Sequence, residues 1–258
     1  MKKLLVASVV ALTSAVVLAQ AQAVRKVRPR GRAKQSGGIV EQAYSGKLLT
    51  VCNGLADLEN GKLAGAIRKI RYGSMLPVEL RSASLKTGAC PLAAADELAG
   101  RPGVGAAVLI ADDGRLPIVL ASPDRSWAIL NVHALRADGP DEGKLAGRIE
   151  KALWNAVARS IGAGGSSLVG TALSHYSSVE GLDAIRLAGV GPDAHNAMID
   201  LAEAHGIRPI RFAGYRTACQ QGWAPAPTND AQRAIWDEVH KLPTEPIKIK
   251  PETRKVER

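Results

Sequence analysis

Histidine is the commonest side-chain ligand of catalytic zinc, and a helix holds the metal most simply with two histidines four residues apart. The 258-residue sequence contains five histidines, none of which is four residues from another: His133, His175, His195, His205 and His240. We interpret each of them as a surface or hydrogen-bonded side chain. The sequence therefore predicts no helical zinc pair, although a site assembled from distant residues stays open.

A second pattern with chemical meaning lies at Gly189, Gly191 and Ala194, which match G-x-G-x-x-A. In dinucleotide-binding folds this pattern lets backbone amides approach a pyrophosphate, and the next strand ends in an acidic residue. Here the next predicted strand ends near Arg211 and Phe212. An ordinary turn into a helix is enough to explain the glycines, so we predict no bound cofactor.

Nucleophilic catalysis would need a serine, a histidine and an acid, and Ser166 or Ser167 with His175 and Asp183 could be arranged in that way. The sequence contains no nucleophile elbow G-x-S-x-G. Serines that follow a helix commonly cap backbone groups. We therefore interpret these serines as caps.

Basic residues exceed acidic ones by 34 to 24, which gives a formal net charge of +10. A basic arm, residues 24–34, contains six cations and no acid: Arg25, Lys26, Arg28, Arg30, Arg32 and Lys34. Such a run repels itself and stays extended. It is compatible with binding to an anionic glycan, to lipopolysaccharide or to an envelope surface, but a solvated leader is the favoured interpretation and the partner stays unknown. With 3% aromatic residues the chain offers no base-stacking platform, and no nucleic-acid partner is expected.

Residues 1–23 have the three parts of a secretory signal peptide: Lys2 and Lys3, an apolar run from Leu4 to Leu18, and the small-residue site Ala21-Gln22-Ala23. The apolar run of about 15 residues is too short for a transmembrane anchor. We predict cleavage after Ala23 and a periplasmic or secreted soluble protein, with no membrane span after signal removal.

The three cysteines, Cys52, Cys90 and Cys219, allow three single disulfides, because an exported protein meets oxidising conditions. We favour the Cys52–Cys90 pair slightly, since both lie in the first half beside predicted strands. Three reduced thiols are about equally compatible with the sequence. The absence of C-x-x-C leaves a redox motif and a cysteine zinc site unsupported.

The elements that would position such residues begin with an apolar strand at residues 47–51. An amphipathic helix follows at residues 58–72, then a strand at 75–85 and a short helix at 91–100 that opens with Pro91. Residues 105–135 contain three apolar runs, separated by Asp113-Gly114 and by Ser122-Pro123-Asp124. Because Asp-Gly is a strong hairpin signal, we predict an antiparallel meander with Pro117 at an edge or a bulge.

A long helix is predicted next, because apolar residues recur every four positions at Leu145, Ile149, Leu153, Val157 and Ile161. These elements predict an α/β (α+β) fold with a mixed twisted sheet, an antiparallel meander and flanking helices. Residues 182–214 are predicted as strand, turn, helix, turn and strand. A last helix is capped by Thr228 or Asn229 together with Gln232.

The domain organisation follows from this order of elements. We expect a signal peptide at residues 1–23, a basic linker at 24–38, a single globular domain at 39–242 and an extended tail at 243–258. A subdomain that starts at residue 182 is the alternative division.

The element order, the strand with the sequence SWAILN and the helix that ends at a glycine resemble metzincin metalloproteases, most closely the archaemetzincins, over roughly residues 47–185. The resemblance implies a zincin-like sheet with an edge strand and a long helix bearing H-E-x-x-H-x-x-G-x-x-H. When Gly162 is aligned with the motif glycine, the first histidine, the glutamate, the second histidine and the third histidine fall on Asn155, Ala156, Arg159 and Gly165. The methionine of the following turn falls on Leu173.

Two functions remain for a chain with these replacements. One is an exported pseudoenzyme that uses a metalloprotease-like scaffold for binding or structure. The other is an exported hydrolase whose active residues are dispersed along the chain. Arg159 could also replace the metal by its own charge, paired with an acid.

Overall fold

The computed structural model describes residues 37–82, 89–166 and 168–241. The signal peptide, the basic arm and the extended tail, which were predicted from the sequence, lie outside these ranges. The described chain divides into two compact units, a larger one within residues 42–211 and a smaller one in which residues 37–41 join residues 212–241. None of the described helices has the length and apolar character that a membrane span requires.

The described helices and strands follow one another in the order β1 (Ile39–Glu41), β2 (Leu48–Asn53), α1 (Asn60–Ser74), β3 (Val78–Ser82), α2 (Pro91–Ala99), β4 (Val104–Ala111), β5 (Val119–Ser122), a 3₁₀ helix (Pro123–Arg125), β6 (Trp127–Asn131), α3 (His133–Arg136), α4 (Glu142–Ser160), α5 (Val179–Asp183), α6 (Pro192–Ala204), β7 (Phe212–Gly214), α7 (Tyr215–Gln220) and α8 (Asp230–Lys241).

The larger unit is built on a mixed five-stranded sheet with the strand order β3-β2-β4-β6-β5. Strands β3, β2, β4 and β6 are parallel, and the edge strand β5 runs antiparallel to β6. Every residue of β4 is buried, as expected for a central parallel strand covered on both faces. The predicted mixed α/β class is confirmed.

The predicted meander is only half correct, because β4 pairs in parallel with β6 and not with β5. After β4 the chain therefore crosses to the edge of the sheet, where it forms β5. It then returns as β6, which pairs between β4 and β5. The Asn131 side chain holds this connection, since its amide nitrogen donates to the carbonyl oxygens of Asp113 (2.8 Å) and Leu116 (2.7 Å). Asp113-Gly114 is a turn within a crossover and does not form a hairpin. The edge position predicted from Pro117 is confirmed by β5.

Alternating side chains of the sheet feed two apolar layers. On one face, Val108 and Ile110 belong to the main core with residues of α1, α4 and α6. On the other face, Ala107 and Leu109 pack with Ala95 and Leu98 of α2. The sheet is thus a middle layer between helices, which is the α/β arrangement predicted from the sequence.

The βαβ unit predicted at residues 182–214 is wrong at its first strand. Leu182 lies in the short helix α5, and the described chain from residue 184 to 191 contains no strand. Helix α6 begins at Pro192, as expected, and Gly206 follows it with φ of +75°. β7 pairs antiparallel with β1, outside the large sheet. The chain from Leu182 therefore forms the end of a short helix and a turn instead of the predicted strand.

All three cysteines are free thiols, so the slight preference for a Cys52–Cys90 disulfide is wrong. Cys52 is buried in β2, in the core layer under α2, whereas Cys90 is exposed. Burial raises the pKa of the Cys52 thiol. A buried and protonated thiol acts as a small apolar side chain.

The smaller unit has its own small core of Tyr215, Cys219 and Ile235. The capping box predicted at the start of α8 is confirmed. The backbone N–H of Gln232 donates to the side-chain oxygen of Asn229 at 2.9 Å, and the side-chain oxygen of Gln232 accepts from the backbone N–H of Thr228 at 2.8 Å. The reciprocal bonds satisfy backbone donors at the helix start.

Helix α4 carries a buried charged group, the guanidinium of Arg148, whose side chain is only 2% exposed. Such a group needs a hydrogen-bond acceptor for each of its N–H donors. Its N–H groups donate to the carboxylates of Asp138 and Asp183 and to the carbonyl oxygen of Leu135. These five hydrogen bonds satisfy all five donors of the side chain. Arg148 thus joins α4 to the segment after α3 and to the end of α5.

We expect Arg148→Met to lower the free energy of unfolding by about 1 to 3 kcal/mol, because the hydrogen bonds of a buried guanidinium are lost, although Lys144 still pairs with both Asp138 and Asp183. Hydrogen bonds from Arg148 lower the pKa of Asp138 and of Asp183. This stabilisation is therefore present above the ordinary aspartate pKa of about 4 and is lost as the pH falls below it. Urea unfolding at a series of pH values should show a weaker acid dependence in the variant.

Lys62→Met is the matched control, because it breaks the ion pair with Glu142, whose two side chains are 51% and 88% exposed. The control should cost less than about 1 kcal/mol. An Arg148→Met variant as stable as this control would contradict the anchoring role of Arg148.

Candidate functional site

The end of α4 has the backbone that the resemblance requires. The helix ends at Ser160, and Gly162 follows with φ of +86°, a left-handed conformation that favours glycine. A Cβ atom at Gly162 would lie 3.6 Å from the Cβ of Pro123. The predicted helix–glycine break is therefore confirmed, close to the residue that follows the edge strand β5.

The position of the first histidine is occupied by a structural amide. Asn155 is buried, and its side-chain nitrogen donates to the carbonyl oxygen of Ala172 at 2.8 Å. Ala156, at the position of the glutamate, is fully buried in the main core. These two residues therefore hold the loop after α4 and fill the core.

The remaining positions of the motif contribute no metal ligand. Arg159 is half-buried and forms no ion pair with any carboxylate of the described residues. The idea that it forms an ion pair with an acid is therefore not supported. Gly165 is exposed and has no side chain, and Leu173, at the methionine position, is fully buried in the core.

Tyr176 is a functional candidate that the sequence reasoning missed. Its hydroxyl is buried, and it has no hydrogen-bond partner among the residues that the structure describes. Burial raises the pKa of Tyr176, and the positive charge of Arg159 opposes this shift only in part. The phenol therefore stays protonated. No local sequence pattern marks it, because its burial depends on the packing of the loop after α4.

The donor set at this position does not fit a zinc ion. A catalytic zinc needs about three nitrogen, oxygen or sulfur lone pairs that converge at roughly 2 Å. The aligned positions instead present a committed amide, a methyl group, a guanidinium and a glycine. Within the described ranges, no three His, Cys, Asp or Glu side chains form a group that could hold a metal. We therefore derive no chemistry through a metal here.

Among the described residues, no hydrogen bond joins Ser166, His175 and Asp183, and three of the histidines have other partners. His133 Nδ1 lies 2.7 Å from Asp112, His205 Nδ1 lies 2.9 Å from the Ser126 hydroxyl, and His240 Nδ1 lies 2.8 Å from the Trp236 carbonyl oxygen. The hydroxyl of Ser166 accepts from the backbone N–H of Leu168 at 3.1 Å, as a cap does. The carboxylate of Asp183 is bound by Arg148. Ser167 lies outside the described residues.

The pair formed by Ser126 and His205 lies in a polar cleft of about 920 Å³ at the amino ends of β2, β4 and β6. We call it the serine–histidine cleft, and its lining includes Lys47, Asp96, Arg125, Ser126, Glu203 and His205. Ser126 has φ of +56°, which is unusual for a residue with a side chain. Strained backbone of this kind is frequent at functional sites.

Gly105 allows the histidine to approach the serine. A Cβ atom at Gly105 would overlap Ile207 Cγ1 and would lie 3.0 Å from the His205 carbonyl oxygen. The register of β2 against β4 shifts at this point. The missing side chain therefore lets the turn after α6 lie against the start of β4. The pair joins residues 79 positions apart, so no local motif reveals it.

Asn155→Ala should lower the free energy of unfolding by about 1 to 3 kcal/mol, because a buried carbonyl loses its donor. Asn155→Asp should cost more near neutral pH, since a carboxylate would face the Ala172 carbonyl oxygen. The pKa of that aspartate would be raised, so its deficit relative to the parent chain should shrink as the pH falls through this value. Thermal melts of both proteins from about pH 7 to about pH 5 measure the difference.

Asn196, an exposed asparagine on α6, provides the control. The same two substitutions at Asn196 should change stability by less than about 0.5 kcal/mol. Equal effects at Asn155 and Asn196 would refute the role of Asn155 in holding the loop.

Comparisons with known proteins agree with this architecture. The archaemetzincin of Methanopyrus kandleri superposes with a TM-score of 0.50 and 14% identity, over 69% of this chain and 99% of that one. A zinc-dependent peptidase from Methanocorpusculum labreanum superposes with a TM-score of 0.47 and 14% identity, over 58% of this chain and 99% of that one. No protein-family profile and no curated protein sequence matches the chain. The likeness concerns the fold alone, which is zincin-like.

Proposed function

We propose that this chain is an exported protein that uses its zincin-like scaffold for binding or for a structural role, without peptide hydrolysis. The observation that carries this proposal is the occupancy of the position of the first histidine by Asn155, whose amide is committed to the Ala172 carbonyl oxygen. A side chain that donates a hydrogen bond from its nitrogen has no lone pair there to offer a metal.

The packing around α4 supports the same proposal. A glutamate at position 156 would place a charge in a fully buried position of the core. An unpaired charge in such a place is costly. The side chains at these positions therefore stabilise the scaffold.

Export and an anionic partner belong to the same proposal. The signal peptide supports export, and the cations of residues 24–34 support an acidic glycan, lipopolysaccharide or an envelope surface as partner. A basic arm at the start of the mature chain would hold the protein near such a surface by charge.

Purified protein, expressed with zinc in the medium and prepared without chelator, should contain fewer than about one zinc ion per ten chains. It should also leave unstructured peptides intact. Elemental analysis and a peptide-cleavage assay measure the two properties, with the zinc-dependent peptidase of Methanocorpusculum labreanum as the active control. One zinc ion per chain, lost on Asn155→Ala, would refute a non-catalytic role.

A dispersed hydrolase site is the second candidate, and the Ser126–His205 pair is the observation that favours it. In such a reaction the Ser126 oxygen would bond to an acyl carbon while its proton passes to His205 Nδ1 and then to the leaving group. Water would then hydrolyse the acyl-serine. The hydrogen-bonded distance of 2.9 Å suits the first proton transfer.

A fluorophosphonate probe distinguishes the two candidates, because it labels activated serines. We expect no stoichiometric labelling under the binding proposal. Labelling that disappears in both Ser126→Ala and His205→Gln, while Ser45→Ala of the neighbouring loop remains labelled, would establish the hydrolase instead. Mass spectrometry of the intact chain measures the adduct.

A further inference from the structure

We propose that an open groove at the amino ends of β2, β3 and β4 binds an acidic glycan chain. This inference rests on the proposed function as a binding protein and assigns that binding to the folded part of the chain. The amino-end groove, as we call it, has a volume of about 1220 Å³ and is lined by, among others, Tyr44, Lys47, Met75, Arg208, Pro209 and Arg211.

A hydrogen-bond network holds the groove in shape. The Tyr44 hydroxyl donates to the carbonyl oxygen of Lys47 at 2.6 Å and accepts from the backbone N–H of Arg208 at 3.0 Å. The backbone N–H of Lys47 also donates to the carbonyl oxygen of Gly206 at 3.3 Å. The two segments that carry Lys47 and Arg208, far apart in sequence, are thereby fastened side by side.

The opposite end of the groove is fastened by backbone bonds. The N–H of Gln42 donates to the carbonyl oxygen of Arg211 at 3.0 Å, and the N–H of Ile210 donates to that of Met75 at 2.6 Å. Gly46 must lack a side chain, because a Cβ atom there would lie 2.6 Å from the Tyr44 hydroxyl. The backbone that carries the cations of the groove is therefore held in place by hydrogen bonds without a ligand.

The charges of the groove differ from those elsewhere in the larger unit. Outside the groove, most cations are neutralised by carboxylates within 4 Å, among them Lys62, Lys69, Arg81, Arg101, Arg115, Arg125, Arg136, Lys144 and Arg148. Lys47, Arg208 and Arg211 are exposed, and no described carboxylate pairs with any of them. Glu203 is the acid of this lining. Unpaired cations along one groove favour a ligand with several negative charges.

The shape and the neighbouring cleft favour a glycan over a single small anion. The groove shares Lys47, Glu203 and Gly206 with the serine–histidine cleft, so the two form a continuous surface. That cleft adds the Ser126 hydroxyl and the His205 ring, which suit the hydroxyls of a sugar. Met75 and Pro209 provide apolar surface for sugar rings. An acidic glycan combines spaced anionic groups, hydroxyls and apolar ring faces.

The test uses the chain from residue 24 onward and a heparin-derived hexasaccharide, with binding measured by titration calorimetry. The triple substitution Lys47→Gln, Arg208→Gln and Arg211→Gln should weaken binding at least about tenfold, because several charge-assisted contacts are lost. The affinity of this triple variant for the hexasaccharide should also depend less steeply on salt concentration than that of the parent chain. A uronate hexasaccharide without sulfate shows whether carboxylates alone are sufficient.

The matched control, Arg68→Gln with Arg186→Gln and Arg233→Gln, removes the same charge from three exposed arginines that form no described ion pair. It should weaken binding by less than about threefold, since only the long-range field changes. Equal losses of affinity in the two triple variants would contradict binding of the glycan in the groove. Thermal melts of each variant confirm that a loss of binding is not a loss of folding.

Deletion of residues 24–36 separates the groove from the basic arm. Saturable binding that survives this deletion and is lost in the groove variant supports the proposal. Binding that is lost on deletion but unchanged in the groove variant would overturn the groove and leave the proposed function standing. If the parent chain binds no acidic glycan, the groove proposal fails, whereas the proposed function fails only if the chain holds stoichiometric zinc or cleaves peptides. Retention on phosphatidylglycerol vesicles without hexasaccharide binding would overturn the glycan in favour of a membrane surface.

Discussion

The larger unit depends on the satisfaction of one buried cation. Arg148 sits in α4, and every N–H of its guanidinium has an acceptor in Asp138, Asp183 or Leu135. A desolvated guanidinium is tolerated only with such complete pairing. Its acceptors come from α3, from the segment after it and from α5, so the arginine ties α4 to the chain on both sides of it.

In the same helix, the positions aligned with the metal-binding motif serve the fold. In a zincin-like peptidase, side chains of this helix would bind a metal. In this chain, the side chains at the aligned positions stabilise the fold. Asn155 holds the loop through Ala172, Ala156 fills the core and Leu173 packs where a methionine would lie. The backbone turn at Gly162 is kept, because it depends on a left-handed φ and not on any ligand. The proposed non-catalytic role therefore requires only that each aligned position takes a packing or hydrogen-bonding role.

Local patterns predicted much of this fold, and the failures share one cause. The four-residue apolar repeat located α4, and Asn229 with Gln232 located the start of α8, because both signals act within a few residues. Asp113-Gly114 predicted a hairpin, but the pairing of β4 is decided by distant strands and by Asn131. Tyr176 and the Ser126–His205 pair were missed for the same reason, since burial and contact across the fold leave no local pattern.

The excess positive charge of the chain acquires meaning only when its distribution is considered. Formal charge counts all cations equally, yet most of those in the larger unit are neutralised nearby, and a neutralised cation adds little to the field that a ligand meets. Lys47, Arg208 and Arg211 remain unpaired on segments that Tyr44 and the backbone hold together. A rigid array loses little entropy when it binds. The proposed recognition of a glycan is therefore assigned to the groove.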